Sequence, residues 1–212
     1  MSQPKPEQTT EERRRQRRGR IMGALICLTV FLPMAVAYGI FYTGVGMPAT
    51  TVNKGILLDP PQAIGDLGVS AMEGTAWDVT AHRKQWRWLI PGGATCDGQC
   101  QDNLYLTRQV HIRLAEKSMR VERVYLLLDD YLDPATEQFL TKEHPHIRIL
   151  KADRTQLQSA LTAAKVPADV LTDGHYYLMD QDGFVMMAYT PSHTGQQLLD
   201  DIKRMLKYSY EE

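Results

Sequence analysis

No stretch of this 212-residue chain limits its fold as tightly as Trp86-Arg-Trp-Leu-Ile-Pro-Gly-Gly-Ala-Thr-Cys-Asp-Gly-Gln-Cys100. Trp86 to Ile90 mixes aromatic and aliphatic residues over a strand's length and is bounded by Pro91-Gly92-Gly93, which predicts a buried strand ending in a glycine turn. From Gln101 onward, Leu104, Leu106, Val110 and Leu114 recur at helical spacing, although Ile112 fits that face poorly. Cys96 and Cys100 therefore stand between a core strand and a helix. They are four residues apart, so a helical turn between them puts both sulfurs on one face, within reach of a single ion or of each other. The N-terminal end of a helix dipole favours the thiolate, which is both the nucleophile and the soft-metal ligand. The plainer alternative is two ordinary cysteines in a loop.

Three cysteines are too few for a disulfide scaffold. Cys27 falls in an apolar run and reads as an inert packing residue, which leaves Cys96 and Cys100 to carry chemistry. The net charge of −1 argues against a nucleic-acid protein. The charge is uneven, however, because Arg13, Arg14, Arg15, Arg17, Arg18 and Arg20 crowd the first twenty residues. Ile21 to Tyr42 then runs without a charge, and as a helix it reaches about 33 Å, enough for a bilayer core. Pro33 within it is tolerable in a membrane helix. The positive-inside rule keeps the arginines cytoplasmic and exports everything after Tyr42. A cleaved signal peptide is the rival, since Ala35-Val-Ala37 resembles a cleavage site. The run continues through Ile40, Phe41 and Tyr42, which favours an uncleaved anchor.

These features divide the chain into a basic cytoplasmic tail (1–20), a transmembrane anchor in the lipid bilayer (21–43), a linker (44–62) and a folded domain (63–212). Met1 to Thr10 is polar and reads as disordered. Within the domain, Leu67 to Val69 and Thr75 to Val79 predict a short hairpin around Glu73-Gly74. Trp86 to Ile90, Val121 to Leu128 and Ile147 to Leu150 predict core strands. Helices follow at about Gln101–Lys117, Pro134–Lys142 and Asp153–Ala164, with Asp153 as N-cap. His175 to Met179 and Phe184 to Ala188 predict a hairpin at Asp182-Gly183, and Gly195 to Tyr208 a closing amphipathic helix. The fold class is α/β: a mixed sheet flanked by helices, in the element order of the thioredoxin fold, with a transmembrane helix ahead of it.

Thioredoxin-type oxidoreductases resemble this stretch, but they space their cysteines Cys-x-x-Cys and carry a proline ahead of the facing strand. Here the spacing is Cys-x-x-x-Cys, and Val170-Leu-Thr-Asp-Gly-His175 has no proline. Asp97 opposes thiolate formation, whereas a bound cation offsets it. The pattern resembles the Sco family of membrane-anchored copper chaperones. Cys96-Asp-Gly-Gln-Cys100 is similar to its metal motif, and Tyr177-Leu-Met-Asp-Gln-Asp-Gly183 is similar to its hairpin. Asn53-Lys-Gly-Ile-Leu57 and Arg120 to Val124 resemble segments of small Sco-like proteins encoded beside oxidase-assembly factors.

The resemblance implies a bacterial inner-membrane protein with its domain in the periplasm. It implies Cu(I) held by Cys96 and Cys100, with His175 as third ligand, for delivery to a cytochrome c oxidase subunit, or partnership with other oxidase assembly factors. On that reading the protein is a metallochaperone rather than an enzyme. A thiol–disulfide reductase is the alternative, with Cys96 attacking and Cys100 resolving. A scaffold that has lost both activities is the third. In this chain His175 lies only two residues before Tyr177, inside the expected strand, and Asp97 replaces the proline typical of the family after its first cysteine. A strand histidine bonded to a backbone carbonyl is the competing reading of His175. His193 is the second choice for a ligand. His144 and His146 flank Pro145 and read as a solvated turn, Asp129-Asp130 as a strand end, and Trp86 and Trp88 as core residues on one side of the sheet.

Overall fold

The computed structural model describes residues 10–44, 52–166 and 169–209. The chain divides into two units, Met1–Thr51 and Val52–Glu212. The described part of the first is one long helix, α1 (Thr10–Thr43), which starts well before the uncharged run. Arginine is a good helix former, so the basic cluster continues the helix rather than breaking it. Pro33 is accommodated inside it. Its apolar side chains, Phe31 and Phe41 among them, are exposed. A helix that is apolar all round over Ile21–Tyr42 has the surface expected in lipid. Among the described residues it is the one helix long and apolar enough to cross a membrane, over Arg13–Thr43. Cys27 sits on it, exposed and unbridged rather than packed.

The second unit is built on a seven-stranded mixed sheet in the order β1-β7-β6-β3-β4-β5-β2. The strands are β1 (Ile56–Ala63), β2 (Val69–Ser70), β3 (Trp86–Gly92), β4 (Val121–Leu127), β5 (Ile147–Ala152), β6 (Tyr176–Met179) and β7 (Phe184–Tyr189). The helices are α2 (Gly98–Arg113), α3 (Pro134–Glu143), α4 (Arg154–Ala163) and α5 (Gly195–Tyr208). β3, β4 and β5 run parallel through two crossovers, while β6 and β7 return antiparallel. This is the expected thioredoxin-like α/β arrangement.

Alternation sorts the strand residues between two cores. Leu89, Val124, Leu126, Tyr177 and Met179 pack beneath α4. Trp86, Trp88, Ile90, Tyr125, Tyr176 and Tyr189 pack with Leu104 of α2, Leu140 of α3 and Leu198 and Ile202 of α5. Both tryptophans thus face one side, as the spacing predicts. Between them Arg87, fully buried, reaches the other face. Its Nε donates to Glu122 at 2.8 Å, and the guanidinium stacks over Trp77 at 5.2 Å. The expected cap forms, Asp153 accepting from Gln156, and two more appear that the sequence reading did not name: Asp133 accepts from Ala135 and Thr136, and Thr194 and Gln197 make a capping box.

Three further expectations about the domain's elements and turns need correction here. The stretch read as a linker includes β1, which pairs with β7, its register breaking between Leu57 and Gln62 around Pro60-Pro61. Proline is tolerated there because β1 is an edge strand. The early hairpin reduces to β2, which pairs with β5, plus a single bridge from Ser70 to Ala76. His144 is buried, 3% exposed, and its Nδ1 accepts from Arg123 Nη1 at 3.4 Å, so it does not lie in a solvated turn. The tail 1–9 and residues 45–51 of the linker lie outside the described residues.

The point where the chain enters the domain is fastened. The carboxylate of Asp201, on α5 and 1% exposed, accepts from the backbone N–H groups of Lys54 and Gly55 at 2.9–3.0 Å, and from the Tyr189 hydroxyl at 3.1 Å. The carbonyl of Lys54 bonds His193 Nε2 at 2.9 Å.

Candidate functional site

The cysteine turn is pinned from below by β4 and its end. Ile90 pairs with Tyr125 across β3 and β4, and the Tyr125 hydroxyl donates to Gly93 O at 2.7 Å. The Tyr125 ring passes so close to Gly92 that a Cβ there would overlap it, which explains why the strand ends in glycine. One carboxylate oxygen of Asp129 accepts from Ala94 N at 2.5 Å, and Ala94 O accepts from Asp133 N at 3.0 Å. Asp129 thus ends its strand as expected and also holds the turn.

Cys96 precedes α2, Asp97 is its N-cap residue, and Cys100 lies in the first turn, its N–H donating to Asp97 O at 2.8 Å. The pair is joined as a disulfide with Cα atoms 5.3 Å apart, a separation that the bond accommodates without moving backbone. Cys96 is buried, 7% exposed, and Cys100 is half-buried. Cys100, not Cys96, is therefore the easier of the two to reach from solvent. The Tyr125 hydroxyl lies 4.0 Å from Cys100 Sγ. Burial first, and then the charges of Asp129 and Asp97, raise the Tyr125 phenol far above its ordinary range, so it stays a neutral donor. These two acids make the local potential negative, which disfavours a free thiolate and favours a cation at the sulfurs.

His175 stands immediately ahead of β6, not inside it. Its loop is docked on the first turn of α2. Asn103 Nδ2 donates to Gly174 O at 2.9 Å, and Gln99 Nε2 donates to Asn103 Oδ1 at 3.1 Å. Gly174 has φ +61°, and a Cβ there would overlap the Gln99 side chain, so glycine is needed for both reasons. His175 Nδ1 is buried and has no hydrogen-bond partner. Burial chiefly, and His193 to a lesser degree, lower its pKa against the opposing charge of Asp173. The imidazole is therefore neutral near pH 7, the form that ligates metals.

His193 is committed elsewhere. Its Nδ1 accepts from Thr190 N at 3.0 Å, and its Nε2 must carry the proton donated to Lys54 O. Among the described residues, no three His, Cys, Asp or Glu side chains converge as a metal cage. The two sulfurs therefore come together, the His175 loop abuts the same helical turn, and a three-ligand set is not assembled in this disulfide state. Sequence reasoning missed Tyr125, Gln99 and Asn103. The glycines of Gly92-Gly93 and of Asp173-Gly174 were the available signals, since Gly92 and Gly174 each mark a close approach.

A family model described as "Transmembrane-like, thioredoxin-like, C-terminal domain" matches residues 86–209. The chain belongs to that family. As a transmembrane-like, thioredoxin-like protein it matches solved Sco structures over nearly their full length. Yeast Sco1 aligns with a TM-score of 0.54 at 19% identity, over 73% of this chain and 97% of that one. Yeast Sco1 with copper bound aligns with a TM-score of 0.51 at 18% identity, over 76% and 97%. BsSco, described as having a disulfide switch and as a member of the Sco family of cytochrome c oxidase assembly proteins, aligns with a TM-score of 0.51 at 11% identity, over 76% and 100%. These likenesses show that this family member has the Sco fold. No curated protein matches the chain.

Proposed function

We propose that the protein is a membrane-anchored, Sco-like assembly factor whose reduced Cys96–Cys100 pair carries Cu(I) as cargo for cytochrome c oxidase. The observation that carries this reading is the closeness of the two sulfurs on the strand-to-helix turn, with Cα atoms 5.3 Å apart. Two thiolates select a soft monovalent ion such as Cu(I), and an imidazole suits it as well. A partner dithiol, itself oxidised to a disulfide, supplies the two electrons and two protons that open Cys96–Cys100 to the dithiol. Loading Cu(I) then displaces the thiol protons, and ligand exchange with the recipient's thiolates passes the ion on. The bound cation offsets the repulsion between the two thiolates and the acids around the turn. The unpartnered Nδ1 of His175, on a loop docked against the Cys100 turn, is the nitrogen free to become a third donor. α1 holds the domain to a bacterial inner membrane, with the arginines inside and the domain in the periplasm.

A dithiol–disulfide reductase is the second reading, favoured by the closed disulfide. In it the thiolate of Cys100, the more accessible residue, attacks a partner's disulfide, and Cys96 resolves the mixed disulfide to leave the partner reduced.

The deciding experiment is a Cu(I) competition titration of the full chain in detergent, without oxygen. One ion per reduced chain and none per oxidised chain are expected. Cys96→Ser and Cys100→Ser should each lose at least about a hundredfold in affinity, because a hydroxyl is a poor ligand for a soft ion. Full occupancy in the double variant removes the pair from the site. No copper in the reduced wild type, with a potential of about −200 to −270 mV, establishes the reductase instead.

A further inference from the structure

At the opposite end of the sheet from the cysteines, the start of β4 and the C-terminal ends of α2 and α3 leave a cleft of about 480 Å³. Arg123, the third residue of β4, lines it and is only 5% exposed. Its hydrogen bond goes to an uncharged group, His144 Nδ1 at 3.4 Å. Among the described residues no carboxylate pairs with it. The adjacent Glu122 has both oxygens taken, by Arg87 Nε at 2.8 Å and Arg148 Nε at 2.7 Å. A buried cation without a counter-charge is costly, and the C-terminal ends of helices supply only partial negative charge.

The neighbours add to the positive charge. Arg108, half-buried on α2, lines the same cleft. Burial first, and then the Arg108 charge, lower Arg123 to about 10, so it remains protonated. His144 is pushed down to about 4 by burial and by both arginines, and so is neutral. His111 has its Nε2 on the carbonyls of Ser118 and Val121, at 3.1 and 2.9 Å. Two guanidiniums at a concave surface, with the local acid already committed, complement the oxygens of a phosphate group through forked charge-assisted bonds. The rim is apolar: Ile112 and Met119 line the cleft and are 58% and 62% exposed.

We infer that this cleft binds a phosphate group through Arg123 and Arg108, presented by a phospholipid headgroup or as free phosphate. The test follows tryptophan fluorescence during thermal unfolding of the full chain in neutral detergent. One arm adds inorganic phosphate against chloride at constant ionic strength. The other adds phosphatidylglycerol against diacylglycerol of the same acyl chains, which has no phosphate, in mixed micelles. A ligand of the native state raises the midpoint by mass action, so the wild type should melt higher in at least one arm. A response to phosphatidylglycerol alone assigns the headgroup, and a response to inorganic phosphate assigns the free ion. Arg108→Gln should weaken the apparent affinity about tenfold, the loss of one charge-assisted bond. Arg123→Gln should abolish the response. If Arg123→Gln does not fold, Arg108→Gln carries the test. No response in either arm, an equal response in Arg108→Gln and wild type, or a response to a glutamate-rich peptide but to neither phosphate probe would overturn the assignment.

Discussion

His175 and His144 are both neutral near pH 7, yet they are kept so for different ends. His144 accepts from Arg123, whereas His175 Nδ1 is left without a partner. Removing His175 therefore strands no protein donor at that atom. His175→Ala should shift the denaturant midpoint little, while weakening Cu(I) binding and weakening Cu(II) far more, since Cu(II) prefers nitrogen. Copper affinities unchanged in both oxidation states would leave a two-cysteine site.

His144 predicts an acid sensitivity. Its folded pKa, about 4, lies below its unfolded value of 6.5. Between those values the unfolded chain holds a proton that the folded chain does not, so stability falls as pH drops from 6.5 toward 4. The slope approaches about 1.4 kcal/mol per pH unit for one such group. His144→Asn, which keeps an acceptor near the Nδ1 position, should flatten part of that slope in denaturant melts at pH 7 and pH 5. An unchanged slope would show that His144 is protonated in the fold.

At the scale of elements, local patterns carried most of the reading. β3, β4 and α5 form where periodicity puts them, because each has an apolar face of its own, whereas α2 runs Gly98–Arg113, starting earlier than expected and giving way to a 3-10 turn at Ala115–Arg120. β1 was hidden, since Pro60 and Pro61 erase any strand pattern and its pairing comes from β7, more than a hundred residues later. The site divides in the same way. Cys96 and Cys100 were legible from four residues of spacing and their flanks. The fastening of their turn by Tyr125 was not, because it depends on the register of β3 against β4. Gly92→Ala tests that contact. The new methyl must displace a buried tyrosine ring, which should cost about 1–3 kcal/mol in denaturant melts and shift the reduction potential of the pair with it. A neutral substitution with an unmoved potential would mean that Tyr125 does not hold the turn. The Asp201 clamp joins α5 to the start of the domain in a similar way. Asp201→Ala leaves the buried Gly55 N–H and the part-buried Lys54 N–H without their acceptor and the Tyr189 hydroxyl with only Met187 Sδ, for an expected loss of about 1–3 kcal/mol.

For the whole molecule, the arginine-rich start of α1 predicts its orientation. Alkaline phosphatase fused after Glu212 should be active in a bacterial host, and a reporter that works only in the cytoplasm should be silent at the same place. The reverse pattern would remove both the periplasmic location and the copper delivery that depends on it. The clamp at Lys54 also bears on proteolysis. Trypsin cuts after lysine, and Lys54 has an exposed side chain, so on sequence grounds it is an obvious place to shear the domain from its helix. A protease must draw several residues of backbone into an extended form, yet here the N–H groups on both sides of the scissile bond sit on one buried carboxylate, and the carbonyl between them on an imidazole. Shedding at that bond therefore waits on opening of the α5 end of the fold, and the domain leaves its anchor there only as it begins to unfold.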